Sequence, residues 1–409
     1  MSVAGALSQF RVLDLSRVLA GPSCTQILAD LGAEVIKIER PGAGDDTRGW
    51  GPPYLKAADD SDTSEAGYYL SANRGKRSVC IDISHPSGQR VIRDLALKSD
   101  VLVENFKVGG LKKYELDYES LRRVNERLIY CSITGFGQDG PDSARPGYDF
   151  MIQGTGGLMS ITGERDGVPG AGPQKVGVAI SDLVTGLYSV SAIQAALLSR
   201  EVTHKGQYID MALLDCQVAM LANQAMNCMI SNQVPIRAGN AHVNVVPYQV
   251  FESSDGHIII AIGNDTQFER FCELAGVPEL ARDARFSTNT GRVQHRTELL
   301  PELECIIKQR SSQEWAADLD RHQIPWGPIN TIDQVLAMPQ VRHRKMRVPM
   351  AHPLSDRFEI VGSPLKLADT PPVYERPPPL LGEHTEQVLR DLLHYSDDRI
   401  QVLRQENAI

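Results

Sequence analysis

The sequence predicts an α/β fold with a parallel sheet, and three features carry that prediction. Short apolar runs bounded by turn residues read as buried strands, periodic stretches between them read as helices, and the opening strand–helix–strand unit takes about 30 residues. Residues 10–15 (FRVLDL) form the first strand; Gly21-Pro22 then opens a helix over 25–31 that closes at Gly32, and residues 35–38 (VIKI) form the second strand. Further units follow: a strand at 78–83, a helix at 87–98, a strand at 101–104, a helix at 116–124 and a strand at 128–134. A long helix over 183–199 begins just after Asp182, and residues 206–224 read as a linker. Beyond residue 220 the texture changes. Residues 246–251 and 257–262 flank Ser253-Ser254-Asp255-Gly256, and Asp-Gly favours a hairpin turn. Helices at 266–274 and 297–308 complete a smaller α+β domain over 225–330. Residues 370–382 are rich in proline and read as an extended arm, followed by a helix at 385–393.

Composition narrows the class. The chain has 409 residues, 42% of them hydrophobic and 23% charged, enough for buried cores in two or three domains. Its 42 Lys and Arg against 51 Asp and Glu give a net charge of −9, which repels nucleic acid. A polyanionic ligand therefore needs a local basic patch. The seven cysteines are scattered with no CxxC pair, so neither a metal site nor a disulfide framework is expected, and a reducing, cytoplasmic compartment fits. The apolar runs at 187–198 and 257–263 read as too short or too polar to span a membrane.

The first strand–helix–strand unit invites a dinucleotide reading, but Ser16-Arg17-Val18-Leu19-Ala20-Gly21-Pro22 is not GxGxxG. A helix start there can still face an anion. Arg40, after the second strand, is either a solvated charge or a phosphate ligand. Two more basic clusters, Arg74/Lys76/Arg77 and Lys107/Lys112/Lys113, fall at strand ends or in loops, where open α/β sheets bind ligands. Asp182 follows the apolar run 176–181 (VGVAIS) at a helix start. Helix capping is its simpler role, and a nucleophilic carboxylate in a dry pocket is the other.

Ten segments in register resemble the CaiB/BaiF, or class III, CoA-transferases. They include residues 12–22 (VLDLSRVLAGP), 31–41 (LGAEVIKIERP), 44–50 (GDDTRGW), 73–78 (NRGKRS), 103–106 (VENF), Tyr148-Asp149, 206–210 (GQYID), 239–251 (GNAHVNVVPYQVF), 324–329 (IPWGPI) and 380–385 (LLGEHT). The resemblance implies a Rossmann-like large domain built from both chain ends, with 1–205 its N-terminal part and 331–409 the C-terminal return. It also implies a small domain between them and two subunits interlocked as a homodimer. It places the catalytic aspartate on Asp182 and contacts to CoA on Val18, Leu19, Ala20, Arg40, Ile81, Asn105, Phe106, Lys113 and Tyr148. CoA thioester would be a substrate, with no prosthetic group and no metal.

Two departures separate this chain from formyl-CoA transferases. Leu19 replaces their glutamine, and residues 239–244 (GNAHVN) replace their glycine-rich lid. The pattern is most similar to the succinyl-CoA-dependent branch, whose acceptors are dicarboxylates such as hydroxymethylglutarate, itaconate and glutarate. Arg74 first and Arg145 second are the candidates to hold the acceptor's distal carboxylate, because a guanidinium grips a carboxylate bidentately. An α-methylacyl-CoA racemase is the nearest rival, but racemases of this family carry a histidine where this chain has Tyr148, and tyrosine is a poor proton acceptor near neutrality. A non-catalytic CoA-binding subunit is the rival of another class.

Overall fold

The computed structural model describes residues 5–409 and divides them into two compact units. The first comprises residues 5–158, 176–226 and 339–409; the second comprises 159–175 and 227–338.

Six strands build the first unit's sheet: β1 (Arg11–Asp14), β2 (Glu34–Glu39), β3 (Lys76–Cys80), β4 (Val101–Glu104), β5 (Ile129–Thr134) and β6 (Tyr208–Ala212). Their order is β3-β2-β1-β4-β5-β6 and every neighbouring pair is parallel. This is the doubly wound order, with the switch point between β1 and β4. Both faces are buried, which explains why the strands read as near-continuous apolar runs. Leu13, Ile36 and Leu102 point to one side, packing with Val91, Ile92 and Leu95 of α2 (Pro86–Leu97) and with the C-terminal residues Val388, Leu389 and Ile400. Val12, Val35 and Val103 point to the other, against Leu28 of α1 (Ala20–Asp30) and Ile193 and Leu197 of a long helix. Two shorter helices flank that long one: α3 (Asp149–Thr155) precedes it, α4 is the long helix itself (Ile180–Thr203), and α5 (Leu213–Met220) follows β6.

The C-terminal segment covers the free edge of β3. Gly75 N–H donates to Arg376 O at 3.0 Å, His384 N–H to Ser78 O at 2.9 Å, and Asp82 N–H to Ala408 O at 2.9 Å. Cys80 N–H donates to the Thr385 hydroxyl at 3.0 Å. The proline-rich stretch 370–382 takes no helix or strand, and the last helices are Thr385–Asp391 and Asp397–Gln405.

The structure departs from the expectations in four places. Residues 206–224 are not a linker: they carry β6 and α5, and the Tyr208 ring packs 5.8 Å from Tyr130 and 5.2 Å from Tyr118, which brings β6 beside β5. The helix expected over 116–124 is only Tyr118–Leu121. Asn125 ends it, because its amide donates to Ala96 O and Ser99 O and turns the chain back. Residues 159–175 lie in the second unit, tied there by Arg237, which donates to Glu164 O and pairs with Asp166. Residues 331–338, expected in the C-terminal return, belong to that unit too. The apolar run at 187–198 lies within α4, which by length and composition alone suffices to cross a membrane; half of that apolar window is buried, with Ile193 and Leu197 against the sheet.

The second unit has its own core. Strands β7 (Tyr248–Glu252), β8 (His257–Ala261) and β9 (Trp326–Pro328) form an antiparallel sheet in the order β9-β8-β7. Ile258 and Ile260 alternate inward and meet Phe268, Phe271, Leu303 and Trp315 from the surrounding helices.

Candidate active site

The carboxyl ends of β1, β4 and β5 open onto a cavity of about 440 Å³. Doubly wound sheets bind ligands at this edge because the strand order reverses there and leaves a crevice. A second hollow of about 270 Å³ adjoins it, sharing Arg17, Ile83 and Phe106 and reaching Arg40, Ile81 and Asp82 after β2 and β3. The larger cavity is lined by Val18, Leu19, Ala20, Asn105, Phe106, Lys113, Arg145, Tyr148 and Asp182, and the smaller by Arg40 and Ile81. Ten of the eleven residues expected at the cofactor and acceptor sites, and Asp182 besides, thus lie along one continuous lining.

Arg74 is the exception. It is 7% exposed and grips Asp30 bidentately, through Nε at 2.8 Å and Nη2 at 2.7 Å, and it lines neither cavity. Its neighbours are committed as well: Lys76 pairs with Asp14 at 3.0 Å and Arg77 with Glu34 at 3.0 Å. The expectation that Arg74 faces a substrate is corrected, because a carboxylate on α1 already occupies its guanidinium. Arg145 stays in the lining, its guanidinium 3.1 Å from Asp142 and over the Phe136 ring.

Asp182 is 8% exposed. Helix α4 starts at Ile180, with Ala179 as the cap residue, so Asp182 lies in the first turn and does not cap the helix. That task falls to Asp149 of α3. Its Oδ1 accepts the Ser181 N–H at 2.8 Å, while its Oδ2 accepts from Gln153 Nε2 at 2.7 Å. The Ser181 hydroxyl in turn donates to Gln217 Oε1 at 2.7 Å. With the helix end satisfied from α3, the Asp182 carboxylate is left for the cavity. Burial, and then the Asp149 charge, push the Asp182 acid up to about 7. A carboxylate so desolvated is a stronger nucleophile than one in water.

Cations line the same cavities. Arg17, Lys107, Lys113 and Arg145 line the larger cavity and Arg40 the smaller. Helix α1 adds its open N-terminus, since Leu19 at the cap position provides no side-chain acceptor for the first-turn N–H groups. Asn105 is committed differently from a free ligand group: its amide accepts from Arg17 N–H at 2.9 Å and donates to Arg17 O at 2.7 Å. Lys107 belongs to a basic cluster the sequence reading had named; three other residues escaped that reading. Arg17 stood inside a quoted motif, and Asp149 stood beside Tyr148. Tyr68 gave no signal: burial first, and then the charges of Asp182 and Asp149, push its hydroxyl up.

A doubly wound α/β fold with a cationic crevice and a buried, uncommitted carboxylate suits an enzyme that binds a phosphorylated ligand and attacks it with that carboxylate. The chain belongs to CoA-transferase family III, whose profile matches residues 7–385. It is similar to the succinate–glutarate CoA-transferase of Agrobacterium fabrum, at 50% identity over 94% of this chain and 95% of that protein. It is also similar to the human succinyl-CoA:glutarate CoA-transferase, at 43% identity over 96% of this chain and 87% of that protein. Among solved structures, a CaiB/BaiF family protein from Brucella suis superposes with a TM-score of 0.82 at 48% identity, covering 95% of this chain and all of that one, 100%. The resemblance read from the ten segments is therefore correct, and the chain is a CoA-transferase.

Proposed function

We propose that this enzyme moves CoA from succinyl-CoA to glutarate through covalent intermediates on Asp182. The observation that carries the reading is a buried carboxylate, relieved of helix capping by Asp149, at a cavity lined with cations. The names of the Agrobacterium and human relatives support the two acids. The Asp182 carboxylate attacks the succinyl-CoA carbonyl, giving a succinyl-aspartyl anhydride and CoA thiolate. The thiolate attacks the aspartyl carbonyl and releases succinate, leaving an aspartyl-CoA thioester. Glutarate attacks that thioester, and the returning thiolate takes the glutaryl group and frees Asp182.

Arg40 and Lys113 hold phosphates of CoA by charge-assisted bonds, Ile81 and Phe106 pack on its adenine, and the backbone of Val18, Leu19 and Ala20 with Tyr148 completes the contact. Arg145 holds the distal carboxylate of glutarate. The working form is an interlocked homodimer; the exposed apolar side chains of α4, Leu187, Tyr188, Leu198 and Val202, support its covering by a second copy. The seven free cysteines support a cytoplasmic location.

The test is trapping. Wild-type enzyme given succinyl-CoA alone accumulates an adduct that hydroxylamine captures on Asp182, located by mass spectrometry. Release of glutaryl-CoA on adding glutarate confirms the acceptor. An adduct on Asp149, or turnover by Asp182→Asn, defeats the reading.

A further inference from the structure

The turn between β1 and α1 holds an unfavourable backbone conformation. Val18 has φ +70°, in the left-handed region that a β-branched side chain resists. Three side chains grip the turn peptide by peptide. Lys37 Nζ, from the middle of β2, donates to Ser16 O at 2.9 Å and to Asp45 Oδ2 at 2.9 Å. Asn105 closes both bonds of Arg17. Asp45 Oδ1 accepts the Val18 N–H at 3.2 Å, and also the N–H and hydroxyl of Thr47 at 3.0 and 2.8 Å.

The Lys37–Asp45 pair has no exposed side-chain surface. A buried ion pair adds no more stability than well-packed apolar side chains of the same size, and often less. Its use therefore lies in what it holds. We propose that Asp45, with Lys37 as the cation that neutralises it in the dry interior, is a positioning residue for CoA, fixing the Val18 peptide so that the Val18–Ala20 backbone and the open end of α1 face the ligand. The proposal rests on the CoA reading above and adds to it two residues that do not line the cavity.

Breaking the pair leaves a buried charge alone, so single variants confound positioning with stability. Two double variants avoid this. Lys37→Met with Asp45→Leu replaces the pair by apolar groups and removes the acceptor of Val18. Lys37→Met with Asp45→Asn is equally uncharged but keeps an acceptor oxygen. Calorimetric titration with free CoA is expected to show about tenfold weaker binding for the leucine variant. The asparagine variant is expected to stay within about threefold of wild type. Hydrogen exchange of residues 16–20, measured without ligand, is expected to rise only in the leucine variant. Equal CoA affinity in the two double variants, or equal exchange, overturns the proposal. Failure of wild type itself to bind CoA speaks against the proposed function, and the exchange measurement still decides the role of the pair.

Discussion

At Asp182 the proposed nucleophilic role and stability oppose each other. A buried acid whose folded pKa is raised to about 7 holds its proton in the native state over a range where the unfolded chain has lost it. The native state then binds more protons than the unfolded one between the ordinary carboxylate range and about pH 7, so this group's contribution to stability falls as pH rises through that window. Asp182→Asn removes the cost of the buried charge. It is expected to be inactive yet more stable than wild type at about pH 8 by up to roughly 4 kcal/mol, with little difference at about pH 4. Thermal melts at the two pH values check this. Asp149 carries the second lever. Asp149→Asn keeps an oxygen for the Ser181 N–H but removes a negative charge beside Asp182, which favours the ionised nucleophile. The acidic limb of kcat/KM is expected to move to lower pH; an unmoved limb means that Asp149 acts by geometry alone. Sequence reading came within three positions of the helix start. It took Asp182 as a possible cap because the residue begins an apolar helix, and it could not see that a carboxylate 33 positions upstream does the capping. Arg74 was misread for the same reason: its partner Asp30 lies on another element.

Among elements, those built on local pattern were legible and those fixed by distant contacts were not. The strands at β1, β2, β4 and β5 follow from apolar runs of fitting length, and α2 from its amphipathic period with Pro86 at its start. The hairpin of β7 and β8 follows from Asp255-Gly256. Strand β6 did not, because YIDMA is short, carries Asp210 and becomes a strand only by pairing with β5. The loop after β4 shows how an element serves the site. Asn105 locks it to Arg17, and it then presents Phe106, Lys107 and Lys113 to the cavity. Lys113→Ala removes one charge from the side of the cavity proposed to hold the phosphates and is expected to raise KM for succinyl-CoA about tenfold with kcat nearly unchanged. Initial-rate kinetics at two salt concentrations check it, since the loss should shrink as salt rises.

Over the whole molecule, a Rossmann-like large domain built from both chain ends was implied by the family resemblance, while its strand order and the particular joins within it were not readable from the sequence. The chain leaves the first unit and returns to it, and residues 376–408 close the edge of β3 by main-chain bonds spanning some 300 positions. Ending the chain after residue 375 removes that cover and exposes a strand edge able to pair with other chains. Such a truncated protein is expected in the aggregated fraction, with the full chain in the supernatant under the same conditions. The same join bears on synthesis. While the ribosome is still translating the second unit, the sheet of the first has every strand but no cap for its outermost one. Completing it waits for residues 376–408 to leave the exit tunnel, so chaperone dependence should be set by the interval between translating residue 80 and residue 408.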